Sequence, residues 1–223
     1  MSKHPLLTVL ALLATALVAF GLLAPQPPPG ESESPDNLPW RVAIDAEGHP
    51  RVLGITLGRD RLALLAQRFG PPEGVGLFRS ARGDSLEAYF PTIRTGRLEG
   101  RLVLKLETSS DEAAVLASRA VSAERTASGA TRYTLGADDK ATLAAKRVVA
   151  MSYLPKYRGL DAEFFRARLG EPAAWLQPDE TTVLWFYPDR GLTLTLSAKD
   201  GAVLEYVPPR DFVLPAEAAR AGQ

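Results

Sequence analysis

Hydrophobic positions change their spacing several times along this chain. From Leu6 to Ala24, LLTVLALLATALVAFGLLA, nearly every residue is apolar and none is charged. PQPPPGESESPDN (25–37) then has no apolar period, and its prolines, serines and acids favour an extended tether that resists burial. From Leu38 short β-rich runs begin. WRVAID and RVLGITLG are separated by AEGHP, where Gly48 and Pro50 supply turn chemistry. RDRLALLAQRFG follows with Leu62, Leu65 and Phe69 at three- and four-residue spacing, which predicts a helix. Gly70 suits the left-handed residue that closes it, and Pro71-Pro72 prevent its continuation. SLEAYFP and GRLEGRLVLKLE then alternate. Leu102, Leu104 and Leu106 face one way, while Arg101, Val103, Lys105 and Glu107 face the other, predicting an antiparallel sheet with one buried and one solvated side.

The same order returns a hundred residues later. RVVAMSYLP reads as a strand and GLDAEFFRARLGEP as a helix, with Asp161 as cap and Phe164, Phe165 and Leu169 on its apolar side. TVLWFYPDRG leads into LTLTLSAKDGAVLEYV, where Leu192, Leu194 and Leu196 alternate with Thr193, Thr195 and Ser197 before an Asp200-Gly201 hairpin. Arg68, Gly70 and Pro72 recur as Arg168, Gly170 and Pro172, and Phe90-Pro91 as Tyr187-Pro188. Between the copies, Ser109 and Glu112 fit a capping box for a helix through about Val121. RYTL fits a short strand, and Asp138 a cap for another helix through about Arg147.

The predicted fold class is therefore α+β: two repeated modules of helix plus antiparallel β-meander, preceded by one N-terminal transmembrane helix. Its boundaries are an anchor or signal segment at 1–24 and a linker at 25–37. A first module at 38–107, a helical insert at 108–147, a second module at 148–214 and a tail at 215–223 complete it.

GITLG…LLAQRFGPP…LEAYFP…GRLVLKL and LDAEFFRARLGEP…WFYPDRGLTLTLSAKDGAVLEYV resemble the SmpA/BamE-like group of envelope proteins. Their tandem arrangement is similar to the β-lactamase-inhibitor-protein fold. The likeness spans about Arg51–Glu107 and Met151–Val207. It implies an envelope protein that works by protein–protein contact through its sheets and loops. The chain departs from BamE proper in having no lipobox cysteine, in having two modules and in its apolar N-terminal run. Neither outer-membrane assembly nor β-lactamase inhibition carries over.

The N-terminal run would reach about 28 Å as a helix, close to the ~30 Å hydrocarbon core. Lys3 precedes it, while Glu31, Glu33 and Asp36 follow, which orients the remainder outside the cytoplasm. The expectation is a single-pass inner-membrane protein with a periplasmic domain. A cleaved signal peptide that releases the domain to the periplasm is the alternative.

Composition removes several functions. The chain's 223 residues include 26 Lys plus Arg and 26 Asp plus Glu, so no net field draws it to nucleic acid. It has no cysteine, hence no disulfide, thiol nucleophile or zinc–thiolate site. Of the two histidines, His4 precedes the apolar run and His49 lies in a Gly-His-Pro turn without a nucleophile motif. Asp111-Glu112 and Asp138-Asp139 stand at predicted helix starts, where they favour the dipole. Arg97, Arg101 and Lys105 form a basic stripe on a mixed-charge face. No catalytic, metal or cofactor-binding residues emerge.

What remains is aromatic. Trp185 and Tyr187 share one side of their strand, Leu184 and Phe186 the other, so both sides are apolar. Glu87 and Tyr89 hold the matching positions in the first copy. Either the strand is covered on both sides, by its own helix and by the middle segment or other module, or it exposes an aromatic patch for a partner. Leu184, Trp185, Phe186 and Tyr187 are then the candidate partner-binding residues, with Trp175, Tyr206 and Tyr89 around them. The reading is a non-catalytic, membrane-anchored periplasmic binding or scaffolding protein whose partner is another envelope protein. An inhibitor of an exported enzyme and a hydrolase with an unrecognised carboxylate site stand as alternatives.

Overall fold

A computed structural model describes residues 37–220 apart from positions 82 and 158. Alternating strands dominate it. Strands hold 44% and helices 21%, which makes the class mostly β rather than the balanced α+β that the repeats suggested. The N-terminal apolar run, most of the linker and the end of the tail lie outside the described residues. None of the described helices is long and apolar enough to cross a membrane.

A small antiparallel sheet comes first, from β1 (Ala43–Ile44), β2 (Pro50–Val52) and β3 (Ile55–Thr56). Eleven further strands make a single antiparallel sheet. In chain order they begin with β4 (Gly74–Ser80), β5 (Gly83–Thr95), β6 (Leu98–Leu106), β7 (Ser122–Arg125) and β8 (Thr131–Thr134). β9 (Val148–Pro155), β10 (Ala174–Asp179), β11 (Thr182–Tyr187), β12 (Leu192–Ser197), β13 (Gly201–Tyr206) and β14 (Ala219–Arg220) follow. Their spatial order is β14-β10-β11-β12-β13-β9-β6-β5-β4-β8-β7.

That order corrects the expectation of two repeated helix-plus-meander modules. β9 heads the second stretch of sequence, yet it pairs with β6 from Gly100↔Pro155 to Leu106↔Val148 and with β13 from Leu204↔Tyr153 to Tyr206↔Met151. One hydrogen-bonded sheet therefore runs through both meanders. The middle segment belongs to it as well, because β8 pairs with β4 and β7 with β8.

Among the described residues, four helices stand on one face: α1 (Leu62–Phe69), α2 (Ser110–Ser118), α3 (Ala137–Leu143) and α4 (Ala162–Leu169). Their buried residues, including Leu65, Leu116, Leu143 and Phe165, pack in one core with Leu102, Leu104, Leu192, Leu194 and Tyr206. Each large side chain removed from water this way contributes roughly 1.5–3 kcal/mol.

Helix ends follow local chemistry. Ser109 accepts from the Glu112 N–H at 3.2 Å, and Asp161 from the Phe164 N–H at 2.8 Å. α1 has no side-chain cap. The N–H groups of Leu62 and Ala63 instead donate to the carbonyls of Lys146 (2.9 Å) and Ala144 (2.8 Å), tying the helix to the segment before β9. Gly70 (φ +85°) and Gly170 (φ +76°) end α1 and α4 in the left-handed region.

Three boundaries in the middle segment differ from expectation, the third being that α3 ends at Leu143 instead of about Arg147. α2 stops at Ser118 and the chain enters β7, because Val121 N–H donates to Thr134 and starts the β7–β8 pairing. α3 begins one residue before Asp138 and its N-cap position is Gly136, so Asp138 lies inside the first turn.

The start of the described chain is pinned on the helix side. The Tyr206 hydroxyl donates to the Pro39 carbonyl, and Trp40 meets Phe164 edge-on at 5.0 Å. The Arg168 guanidinium lies 3.5 Å from the centre of the Phe164 ring.

Candidate binding face of the sheet

The helices leave the opposite face of the sheet to side chains that alternate with the core set. Strand registers place these in a lateral row: Phe186 opposite Thr193, then Glu205, Ser152, Val103, Tyr89 and Gly74. Seven strands thus contribute one residue each. Beside this row lie Leu184 and Thr195 on one flank and Lys105 and Glu87 on another, with Arg101 opposite Leu154.

One end of the face is closed. Leu184, Phe186 and Ala174 form a cluster with Phe212, Leu214 and Ala218, so the C-terminal segment crosses over β10 and β11. Phe186 and Phe212 meet edge-on at 6.5 Å. β14 then adds to the sheet edge beside β10. On the other side of β11, Trp185 and Tyr187 enter the main core. The Arg166 guanidinium lies 4.9 Å from the Trp185 ring centre, and the Tyr187 hydroxyl donates to the Gly170 carbonyl at 3.0 Å.

The aromatic patch expected from the sequence is therefore not a surface. Leu184, Trp185, Phe186, Tyr187, Tyr206 and Tyr89 are all buried. The strand is covered on both sides, but its second cover is the C-terminal segment rather than the middle segment or a second module. Tyr206 sits at the centre of the core. Trp175 is 41% exposed, and its pairing with Trp185 puts it on the helix side, away from Phe186.

From β12 to β5 none of the described helices stands on this face, across about 19 Å at ~4.8 Å per strand. Tyr89, Val103 and Leu154 form a small apolar cluster there, with Val203 packed against it. Val103 thus belongs to a buried patch on the side where the sequence suggested a solvated one. The Arg101 guanidinium acts electrostatically on the Tyr89 hydroxyl. Burial pushes the Tyr89 phenol up, with Arg101 opposing. Glu87 is also raised by burial, against the pull of Ser85 and of Lys105 across the strand.

Glu205 differs from its neighbours. It stands between Thr193 and Ser152, partly buried, and its side chain has no ion pair or hydrogen bond among the described residues. Burial alone pushes its carboxyl up to about 7. Thr195, diagonal to it, keeps a buried hydroxyl with no partner among the described residues. The sequence reading passed over Glu205, which sits in an ordinary-looking VLEYV; the signal was a lone acid at an outward strand position among apolar residues.

Other clusters are internally engaged. Ligand atoms of Asp45, Glu47 and His49 lie within 4.8 Å of one another. Arg59 already contacts Glu47 at 2.7 Å and Asp45 at 3.4 Å, and the Asp45 carboxylate accepts the Glu47 and His49 N–H groups. This is a hydrogen-bonded turn, as read for His49, with a cation where an ion would sit. Glu112 accepts from Lys146 at 2.5 Å and Asp139 from Arg119 at 2.5 Å, so both acidic helix starts carry ion pairs.

No family model matches the chain, and no curated protein or solved structure matches it significantly.

Proposed function

We propose that this is a non-catalytic, membrane-anchored binding or scaffolding protein of the cell envelope, working through protein–protein contact on the helix-free face of its sheet. What supports the reading is one arrangement. The middle strands carry half-buried Thr193 and Val203 beside a carboxyl without a side-chain partner, over a buried apolar cluster, on a side that no described helix covers. A domain with no use for that carboxyl would gain stability by replacing it with an apolar residue or by pairing it. The apolar run from Leu6 to Ala24 supports the anchored, periplasm-facing topology. The resemblance of the two meanders to SmpA/BamE-like proteins points to the same setting.

The test is site-specific photocrosslinking in the cells that make the protein, with the crosslinker at Val203 on the free face or at Val115 on the exposed side of α2. A discrete adduct from Val203 and none from Val115 is the expected result. Equal labelling from both sites, or no adduct from Val203, rules the face out as the contact surface.

A further inference from the structure

Resting on that reading of the face, we propose that Glu205 anchors a basic side chain of the partner, a protein segment that presents a lysine or arginine between apolar residues.

The choice of occupant follows from charge. In the row from Phe186 to Gly74, Glu205 is the sole charged side chain. The cations nearest along the face have their own neighbours, Arg101 at the Tyr89 hydroxyl and Lys105 beside Glu87. Glu205 has only Thr193 and Ser152 directly across from it and the Thr195 hydroxyl on the diagonal. A partner that covers this point with apolar atoms alone strips water from a carboxylate and offers nothing back, which is strongly unfavourable. An acidic partner adds repulsion. A single carboxylate also falls short of the several oxygen ligands a divalent ion takes.

An ammonium or guanidinium group satisfies the carboxylate, and the hydroxyl of half-buried Thr193 beside it accepts a remaining N–H donor. The apolar stem of the same residue then lies along half-buried Val203, which rests on the small buried cluster. Charge at the centre gives selectivity, while apolar contacts around it exclude water.

The experiment selects random displayed dodecapeptides on the purified full-length chain in lipid nanodiscs. Two derivatives serve as comparisons. Glu205→Gln keeps shape and removes charge. Val203→Cys carrying a polyethylene glycol maleimide covers the face, and labelling is specific because the chain has no native cysteine. Expected peptides share a lysine or arginine flanked by apolar residues, bind Glu205→Gln at least tenfold more weakly, and fail on the labelled protein. Replacing that basic residue by norleucine should weaken binding to the native chain and leave binding to Glu205→Gln unchanged. Peptides blocked by the label yet indifferent to Glu205→Gln overturn the anchor and leave the face standing as a binding surface. Peptides indifferent to the label, or no enrichment over the labelled control, overturn both.

Discussion

Replacing Glu205 by glutamine should stabilise the protein, and by an amount that depends on pH. The carboxyl is held at about 7 in the folded chain against 4.5 when unperturbed, with burial as the cause. Because the folded value is the higher one, the unfolded chain loses this proton first as pH rises. Between about 4.5 and 7 the folded state binds more protons, so stability falls through that window and is level above it. At ~1.4 kcal/mol per unit the full loss is roughly 3 kcal/mol, and water reaching the partly exposed group lowers it to about 2. Glutamine carries no such term. The difference in unfolding free energy between Glu205→Gln and the native chain should be near zero at pH 4 and about 2–3 kcal/mol in favour of the variant at pH 8. Urea titrations followed by tryptophan fluorescence measure it, since Trp185 is buried and Trp40 packs on Phe164. A difference that stays flat from pH 4 to 8, or a variant less stable at pH 8, refutes the claim that Glu205 is held unpaired in a costly environment.

Other perturbations reach the scaffold. A Cβ at Gly191 (φ +60°) would lie 1.8 Å from the Val207 carbonyl oxygen, so Gly191→Ala should cost about 3 kcal/mol or more and lower Tm by roughly 10 °C in a thermal melt. Tyr206→Phe removes the donor to the Pro39 carbonyl; about 1–2 kcal/mol should be lost, with faster hydrogen exchange at the start of the domain. Phe186→Ala empties a site packed against Phe212. A loss of about 3–4 kcal/mol is expected, and limited proteolysis should cut beyond Pro208 sooner than in the native chain. If Phe186→Ala instead melts like the native chain, the C-terminal segment is not the cover described here.

Local chemistry was legible from residues alone. Ser109, Asp161, Gly70 and Gly170 do what their types predict, and Leu102, Leu104 and Leu106 point into the core as their alternation requires. Long-range pairing was not. Nothing in RVVAMSYLP says that its strand will sit between two meanders instead of at the edge of one, because period-2 patterning specifies a face and not a neighbour. Helix also stopped earlier than its pattern: Val121 satisfies its N–H on Thr134, a partner thirteen residues away that no local rule reveals. The aromatic run illustrates the same limit. A strand apolar on both sides is buried on both sides, but which segment covers it depends on where Phe212 and Leu214 come to rest. Glu205 escaped notice because an acid on a strand reads as solvated until the strands beside it are known.

The position of β9 has a consequence for the chain as it is made. β6 is complete at Leu106, but the strand that covers its second edge starts only at Val148. At roughly 5–20 residues per second, synthesis leaves that edge bare for about 2–8 s. An uncovered apolar edge is a template for pairing with another chain. Arg101 and Lys105 sit on that very strand, and charges there discourage a second nascent chain from zipping onto it. In the finished fold they look like ordinary face residues; during emergence they keep β6 waiting for its own partner.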